Sequence, residues 1–427
     1  MPSNYTQYKN QKSAAAKTYK CREHTICMAE RIKGVRDFIG REAILREETI
    51  KSIRDSYEIF GFEPLETPAI EYLSLFTDKS GEEIENQLYS FSDKKGEKLA
   101  LRPEHTVSKL RVVSGDKSIV KPFKAYSIGN VWRYEDTSKG RYREFVQADI
   151  DVYGSGSIRY DAEVIGCIDF AFKKLGLSEY KIHINNRKVL QSLLADLGIG
   201  ALDGIKVMRE MDKIDKIGLE SVLKQLESLL NTTQLSKMKD YLTGKFSPES
   251  SGQNEINELL EYLKDYGITN AVVDNALVRG IAYYDGNIFE FIHEADPFKG
   301  TIAGGGRYDT LSQKFDLEMP IVGAAIGFDR VVEILKTRPF EDYVNKYCVV
   351  NIDSMDKAME IGQRLRNKGL SVDILLDKVS LSKALDYCNS KKIRYAVIVG
   401  SKDLQSGEIT IRDLKQKKDS KVREDQL

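Results

Sequence analysis

Two runs of alternating apolar and polar residues lie between residues 125 and 154, on either side of a polar turn. The first run reads AYSIGNVWRY, the turn reads EDTSKGRY and the second run reads REFVQADIDVYG. Side chains two residues apart point to the same face of a strand, so this alternation predicts two β-strands. Because Lys139-Gly140 lies near the middle of the turn, the pattern predicts a β-hairpin.

The polar residues of this hairpin are of types that bind substrates. Its tip is crowded with charged side chains: Arg133, Glu135, Lys139, Arg141 and Arg143. Its returning strand puts a carboxamide and two carboxylates on a single face: Gln147, Asp149 and Asp151. Such a face does not suit an apolar core, because each buried polar group needs a partner. Guanidinium groups suit a polyphosphate, so we expect a polar substrate here, next to phosphate groups.

Upstream of the hairpin, the pattern predicts a helix followed by strands. Apolar residues recur with helical spacing over residues 41–60. The next stretch is predicted to be extended, because Pro64 and Pro68 are excluded from a helix interior. Residues 87–113 then predict strand, turn, strand and helix, with Glu104 where that helix begins. Its carboxylate either offsets the helix dipole or binds the ammonium group of a substrate.

Helical patterns dominate residues 187–265, which follow a predicted helix at 155–175 and a strand at 181–185. Because this block interrupts a strand-rich region, we interpret it as an inserted helical module. Strands resume over residues 271–292, where Arg279 stands in an apolar strand pattern. An arginine in that setting needs an ion-pair partner or an anionic ligand.

Two later segments combine glycines with charged residues. TIAGGGRYDTL (301–311) contains three adjacent glycines, which either make a plain turn or let the backbone approach a ligand closely. VGAAIGFDRVVEIL (322–335) predicts a strand that enters a helix near Asp329 and Arg330. Phosphate is a natural partner for a buried arginine at such a position.

The two ends of the chain differ in pattern. Residues 1–30 have neither a clear apolar period nor the apolar core of a signal peptide, so we expect a disordered tail, with Met28 as a candidate translation start. Residues 31–336 are predicted to form one large domain, which a family resemblance implies is the catalytic domain, and residues 337–346 a polar linker. Strands and helices alternate over residues 347–427, which predicts a compact α/β domain ending in a charged tail.

Composition narrows the function classes further. The 427 residues suit roughly two or three domains, and their charges cancel to zero, which excludes a strongly basic nucleic-acid coat. No apolar run approaches the ~20 residues that span a membrane. The five cysteines include no CxxC pair and the four histidines are scattered. We therefore expect unpaired thiols in a reducing cytoplasm and no firm protein-bound metal site.

Several of these stretches resemble motifs of one family and occur in that family's order. The Arg133-x-Glu135 pattern resembles the second motif of class II aminoacyl-tRNA synthetases, and GRYREF with Gln147 and Asp151 resembles its form in histidyl-tRNA synthetases. LRPE-x-T, which contains Glu104 and Thr106, is similar to that family's amino-acid-binding loop. VRGIAYY and GGRYD resemble its two histidine-specific signatures.

The resemblance covers roughly residues 31–427. Helix, glycine, strand and Pro68 resemble the first class II motif, which builds a dimer interface in that family, and the segment with Arg330 resembles the third. Residues 347–427 resemble the anticodon-binding domain of class IIa synthetases. The fold implied is α+β, a class II synthetase-like antiparallel sheet flanked by helices, with the inserted helical module and the C-terminal α/β domain.

The family resemblance also implies an activity with its substrates. The reaction joins L-histidine to tRNA(His) through a histidyl-adenylate made from ATP with Mg²⁺, in a cytoplasmic homodimer without a membrane contact. Residues implied for ATP and catalysis are Arg133, Glu135, Arg141, Arg279 and Arg330. Residues implied for histidine are Glu104, Thr106, Gln147, Asp151, Tyr283 and Tyr284.

The sequence departs from the family pattern at two positions and leaves two other functions open. His105 stands where the family commonly has a small or apolar residue, and Ala282 stands where it usually has aspartate. One alternative function is a histidine-binding regulatory subunit of ATP phosphoribosyltransferase, which shares this fold. The other is a class II synthetase for a different amino acid.

Overall fold

The computed structural model describes residues 30–77, 86–138, 140–279, 283–295, 298–338 and 344–426. The chain divides into two units, Met1–Thr337 and Arg338–Leu427, and each is described by itself. Lys139 and Ala282 lie outside the described residues, as do most of the expected tail and part of the expected linker. The domain boundaries given above therefore stay predictions.

Strands and helices of the first unit are numbered in chain order over the described residues. The strands are β1 (Glu63–Pro64), β2 (Ile70–Tyr72), β3 (Ser90–Ser92), β4 (Lys98–Leu101), β5 (Phe123–Trp132), β6 (Glu144–Tyr153), β7 (Tyr180–Asn186), β8 (Ala271–Val273), β9 (Asn287–His293), β10 (Gly300–Arg307) and β11 (Ile321–Gly327). The helices are α1 (Arg41–Ile59), α2 (Leu73–Thr77), α3 (Thr106–Gly115), α4 (Arg159–Lys174), α5 (Arg187–Asp196), α6 (Ala201–Met211), α7 (Ile214–Ile217), α8 (Leu219–Leu226), α9 (Thr232–Leu242), α10 (Ser251–Asp265) and α11 (Phe328–Leu335).

Eight of these strands form one sheet in the order β1-β5-β6-β11-β10-β9-β7-β8. Neighbours are antiparallel except for the two outer pairs, β1 with β5 and β7 with β8. A smaller sheet in the order β2-β4-β3 leads into α3. The predicted α+β fold with an antiparallel-rich sheet is thus confirmed, and the predicted hairpin is β5 with β6.

The alternation in β6 decides which side of the sheet carries polar groups. Val146, Ala148, Ile150 and Val152 lie in the main hydrophobic core together with residues of α1 and α4. Burying each apolar side chain of this size contributes about 1.5–3 kcal/mol, so these residues hold the strand in register. The alternate residues consequently face the opposite side of the sheet: Gln147, Asp149 and Asp151.

Helices α5 to α10 occupy the stretch that was expected to be an inserted helical module. Helix α10 packs against α4 and α5, and Met238, Tyr241 and Leu259 are buried in the main core. Strands β7 and β8, which precede and follow this stretch, pair in parallel with Ile182 opposite Ala271. The chain therefore leaves the sheet at β7 and returns beside it.

The second unit is a five-stranded sheet with helices. Its elements are β12 (Val344–Asn351), α12 (Met355–Asn367), β13 (Ser371–Leu375), α13 (Leu381–Ser390), β14 (Ile393–Val399), α14 (Ser401–Gln405), β15 (Glu408–Asp413) and β16 (Lys418–Arg423). The strand order is β13-β12-β14-β15-β16, which agrees with the predicted α/β alternation.

The expectation of a charged C-terminal tail is wrong, because residues Lys418–Arg423 form the edge strand β16. It pairs with β15 along its length, and the Arg412 guanidinium donates twice to the Asp419 carboxylate at 2.6 Å. Most of its side chains are exposed, and charged side chains are common on edge strands. The strand is held by backbone pairing with β15, and its mostly exposed side chains show no apolar alternation in the sequence.

Helices in the described part of the chain are all too short or too polar to cross a lipid bilayer.

Candidate active site

A cavity of about 290 Å³ lies where β6, β10 and β11 meet the tip of the β5–β6 hairpin and the start of α11. Six residues predicted from the sequence line it: Arg133, Glu135, Arg141, Gln147, Arg279 and Arg330. They come from segments that are far apart in the chain, and three of them, Arg133, Arg279 and Arg330, are arginines expected to hold the phosphate groups of ATP. The structure therefore brings these three guanidinium groups around one cavity.

Arg133 directly follows β5 and is held there through its Nε and a ring contact. Its Nε donates to the backbone oxygen of Pro103 at 2.8 Å, and its guanidinium carbon lies 5.4 Å from the centre of the Phe145 ring. Pro103 directly precedes Glu104, so this bond ties the hairpin to the segment that carries that carboxylate.

Arg279 lies in a loop and not in a strand, which corrects the strand expected there. Its backbone has a φ of 55°, a left-handed conformation that is uncommon outside glycine and often found at functional sites. Its Nη1 donates to the oxygen of Phe289 at 3.1 Å and lies 3.6 Å from Glu290. Burial opposes its charge, but Tyr284 and Glu290 nearby raise the pKa of Arg279. The guanidinium therefore stays charged in the cavity wall.

The glycine run explains how that guanidinium fits. The three glycines lie in β10, which excludes the plain turn considered above. A Cβ built on Gly304 would overlap Nη1 of Arg279. Glycine at this position therefore makes room for the arginine.

Arg330 lies in the first turn of helix α11. Its Nη1 donates to the oxygen of Thr301 at 2.6 Å, and burial lowers the pKa of Arg330, an effect that Glu290 partly offsets. The preceding Asp329 pairs with Arg46 of α1 and accepts a hydrogen bond from the Val146 N–H at 3.0 Å. The helix that carries Arg330 is thus anchored to both α1 and β6.

Glu135 and Arg141 occupy the hairpin tip as an ion pair. The Arg141 side chain is 53% exposed and that of Glu135 is 11% exposed. Because the Arg141 side chain is more than half exposed, it has room to turn toward an anion in the cavity.

A second group of predicted residues lies beside this cavity, around β6 and the start of α3. Glu104 is buried and accepts hydrogen bonds from the backbone N–H groups of Thr106 and Val107. Burial raises the pKa of Glu104, which these bonds and Arg133 counteract. The Glu104 carboxylate thus offsets the helix dipole and lies near Arg133. The helix-capping role is therefore compatible with the expected binding of a substrate ammonium group.

The two residues expected to bind the imidazole, Asp151 and Tyr284, both contact Tyr308. Asp151 accepts a hydrogen bond from the hydroxyl of Tyr308, and the Tyr284 ring packs edge-on against the Tyr308 ring with 6.1 Å between centres. Tyr283 also packs against Tyr308, at 5.5 Å. Asp151 and Tyr284 therefore lie on the same side of the sheet. A Cβ on Gly323 would overlap both Asp151 and Tyr308, so glycine there is required by this contact.

Comparison with known proteins identifies the family. The sequence profile of histidyl-tRNA synthetase matches residues 34–331, and that of an anticodon binding domain matches residues 346–427. The chain belongs to the histidyl-tRNA synthetase family. The resemblance drawn from its motifs is confirmed.

Named relatives of this histidyl-tRNA synthetase family member match most of its length. The histidine–tRNA ligase of Pyrococcus abyssi is 37% identical over 410 residues, which are 91% of this chain and 95% of that protein. That of Pyrococcus furiosus is 35% identical over 424 residues, with coverages of 94% and 98%. The crystal structure of histidyl-tRNA synthetase from Nostoc sp. PCC 7120 has a TM-score of 0.83 at 27% identity and covers 94% of this chain and 98% of that one.

One departure from the histidyl-tRNA synthetase pattern has a clear place in the structure. His105 is buried, and its Nε2 lies 3.3 Å from the oxygen of Gly129 in β5. Burial, with Lys109 and Arg102 nearby, lowers the pKa of His105 to about 3. The ring is therefore neutral, and its Nε2–H can donate to Gly129.

Two residues of the site were not predicted from the sequence. Tyr308 lies within the GGRYD signature, which was noted for its glycines and not for its phenol. Lys109 stands in an otherwise apolar helical stripe of α3, yet it is fully buried and pairs with Asp151. A lysine on the apolar face of a helix was the signal that could have found it.

Proposed function

We propose that this chain is a histidine–tRNA ligase, which activates L-histidine with ATP and then transfers it to the 3′ end of tRNA(His). The observation that carries the proposal is the single cavity in which Arg133, Arg279 and Arg330 converge beside Asp151 and the tyrosines. The family of the chain supports the same activity. Catalysis of this kind depends mainly on positioning and on charge stabilisation.

In the first step, a carboxylate oxygen of histidine attacks the α-phosphorus of ATP. The bond from that phosphorus to the bridging oxygen breaks, and pyrophosphate leaves with the electron pair. Arg133 holds the α-phosphate, and Arg279 lies between the histidine carboxylate and that phosphate, where negative charge develops. Glu135 and Arg141 contact ATP from the hairpin tip, and Arg330 holds the γ-phosphate. In the second step, a ribose hydroxyl of the tRNA attacks the adenylate and AMP leaves.

Histidine lies on the polar face of β6 in this proposal. Glu104, Thr106 and Gln147 receive its ammonium group and backbone. A neutral imidazole has one donor and one acceptor nitrogen, which Asp151 and Tyr284 satisfy, while Tyr283 closes the pocket against Tyr308. Side chains that lack one of these nitrogens leave a buried polar group unpaired, which disfavours them.

Mg²⁺ enters this reaction as part of the ATP substrate. Mg²⁺ is usually held by substrate phosphates with one or two carboxylates, and the described residues contain no group of three acidic, histidine or cysteine side chains placed to hold a metal. Of the carboxylates that line the cavity, Asp329 is paired with the buried Arg46, whereas Glu135 is paired with the exposed Arg141 and is the one that would complete the coordination once Arg141 contacts ATP. The ion would neutralise phosphate oxygens.

The second unit supplies the contact with tRNA, since residues 346–427 match an anticodon binding domain. We further infer a homodimer. Exposed apolar side chains on β2, just after Pro68 of the first class II motif, support the homodimer, with Ile70 48% and Tyr72 61% exposed. We place the enzyme in the cytoplasm, which is consistent with three described free cysteines, all of them buried.

Amino-acid-dependent ATP–pyrophosphate exchange, measured with each of the twenty amino acids, tests the activity. We expect exchange with histidine alone, and histidylation of a tRNA(His) transcript in a second assay. Exchange with another amino acid would indicate a different class II synthetase. Histidine binding without exchange would indicate the regulatory subunit of ATP phosphoribosyltransferase, a function made less favourable by Arg279 and by the second unit.

Gly304→Ala is expected to lower histidine-dependent exchange without unfolding the protein. The added methyl group displaces the flexible end of Arg279, and a misplacement of ~1 Å at a reacting centre can lower the rate ~10²-fold. Exchange kinetics and a thermal melt measure the two effects. Gly200→Ala is the matched control, because Gly200 has no neighbour within 4 Å of an added Cβ. Equal exchange rates in the two variants would contradict the position assigned to Arg279.

A further inference from the structure

A carboxamide and two carboxylates share one face of β6, namely Gln147, Asp149 and Asp151, and the mechanism above does not use Asp149. Asp149 lies between Gln147 and Asp151 and is opposite Ala325 of β11. Its side chain is buried, at 3% exposure, and that of Asp151 is buried at 2%. Two carboxylates therefore share one dry face of a strand, two residues apart.

Such a pair is unfavourable when both groups are ionised, because two negative charges repel each other strongly where water is absent. Burial raises the pKa of Asp149 to about 7, and Asp151 and Glu104 add to that shift, whereas Lys109 and Arg133 oppose it. The Oδ1 atom of Asp149 is buried and has no hydrogen-bond partner among the described residues. The site therefore depends on nearby positive charge to keep a carboxylate ionised.

Lys109 of helix α3 provides that positive charge. It lies on α3 with 0% exposure, and its Nζ pairs with Oδ2 of Asp151. The other buried positions of the same helix are uncharged, namely Val107, Ser108, Leu110 and Val113. A buried ammonium is costly compared with an apolar side chain of similar volume, so filling space does not explain a lysine here.

The pairing also leaves Asp151 able to bind a ligand. Tyr308 donates to Oδ1 and Lys109 lies at Oδ2. A carboxylate can accept about four hydrogen bonds, so acceptor positions remain for an imidazole N–H. Two donors from different elements, α3 and the segment after β10, hold the plane of the carboxylate in one orientation.

We propose that Lys109 is a positioning residue for histidine recognition: it balances the charge of the Asp149–Asp151 pair and holds the Asp151 carboxylate aimed at the imidazole. Lys109 acts through Asp151 and does not itself touch the substrate. The inference rests on the proposed function, in which Asp151 binds the histidine side chain.

A double-mutant cycle on the full chain tests this inference, with histidine-dependent exchange and calorimetric titration of histidine as readouts. Lys109→Met, which keeps an unbranched side chain but removes the charge, is expected to raise the KM and Kd for histidine about 10–100-fold. The kcat and the KM for ATP should change less than about threefold. Asp149→Asn alone should have little effect on histidine binding, because Lys109 still holds Asp151. Lys117→Met, at an exposed lysine just beyond α3, is the control.

The decisive variant is Lys109→Met combined with Asp149→Asn, which removes one charge of each sign. We expect its KM for histidine to return to within about fivefold of the wild-type value, since one carboxylate no longer opposes the other. This variant also decides the question if Lys109→Met alone does not fold. A KM that stays raised more than about tenfold in the double variant would overturn the charge-balance role, as would an equal rise in Asp149→Asn alone. Absence of histidine-dependent exchange in the wild-type chain would instead refute the proposed function.

Discussion

Arg279→Ala should lower histidine-dependent ATP–pyrophosphate exchange by at least ~10²-fold, the scale for losing a group that stabilises transition-state charge. The guanidinium lies in the cavity wall and is 14% exposed, close to Glu290 and over the Tyr284 ring at 5.2 Å. Its main hydrogen bond is to the Phe289 oxygen, so little of the fold depends on it. The loss should therefore appear mainly in kcat.

Two controls separate this role from a general effect of charge. Arg279→Lys keeps the positive charge but loses the planar fork of donors, and we expect it to recover only part of the rate. Arg209→Ala, at an exposed arginine of α6, should leave exchange unchanged. Wild-type exchange in Arg279→Ala would remove this arginine from the reaction.

Arg46→Met should lower the free energy of unfolding by about 3–5 kcal/mol, because it leaves Asp329 buried without its counter-charge. Arg46 is itself buried, with its guanidinium carbon 3.8 Å from the centre of the Phe38 ring and 4.8 Å from that of Phe328. A loss of this size lowers the Tm of the unit by roughly 10 °C. Scanning calorimetry of the full chain measures it.

The matched control is Lys206→Met, since the Lys206–Asp203 pair is exposed and contributes about 0–1 kcal/mol. Arg46→Met combined with Asp329→Asn should recover part of the Tm, because the buried charge is then absent. The KM for ATP should rise in Arg46→Met, because Asp329 anchors the helix that carries Arg330. An unchanged Tm would show that Asp329 finds another partner.

Some features of this chain could be predicted because they are written in local spacing. The alternation in β6 predicts both its strand and the face that carries Gln147 and Asp151, and Val146 and its alternate neighbours confirm the register from the core side. The arginines of the hairpin tip follow from the same short segment. The family followed from short motifs, which were confirmed over residues 34–331.

Other features were missed or wrong because the apolar pattern of the sequence does not record their cause. Strand β16 forms through backbone pairing with β15, which needs no apolar pattern. The apolar residues around Arg279 suggested a strand, but the chain there takes a left-handed turn that presents the guanidinium to the cavity. In both cases backbone hydrogen bonding and packing outweigh what the apolar pattern predicts.

The sequence alone determined the strand-rich core, the polar face of β6 and the types of side chain that are proposed to bind phosphate and histidine. Only the tertiary structure decided which charges meet, as in Lys109 with Asp151 and Arg46 with Asp329. Periodicity records which face of an element is buried, because that depends on residues a few positions apart. The partner of a buried charge depends on which distant elements pack together, and no short-range pattern carries that information.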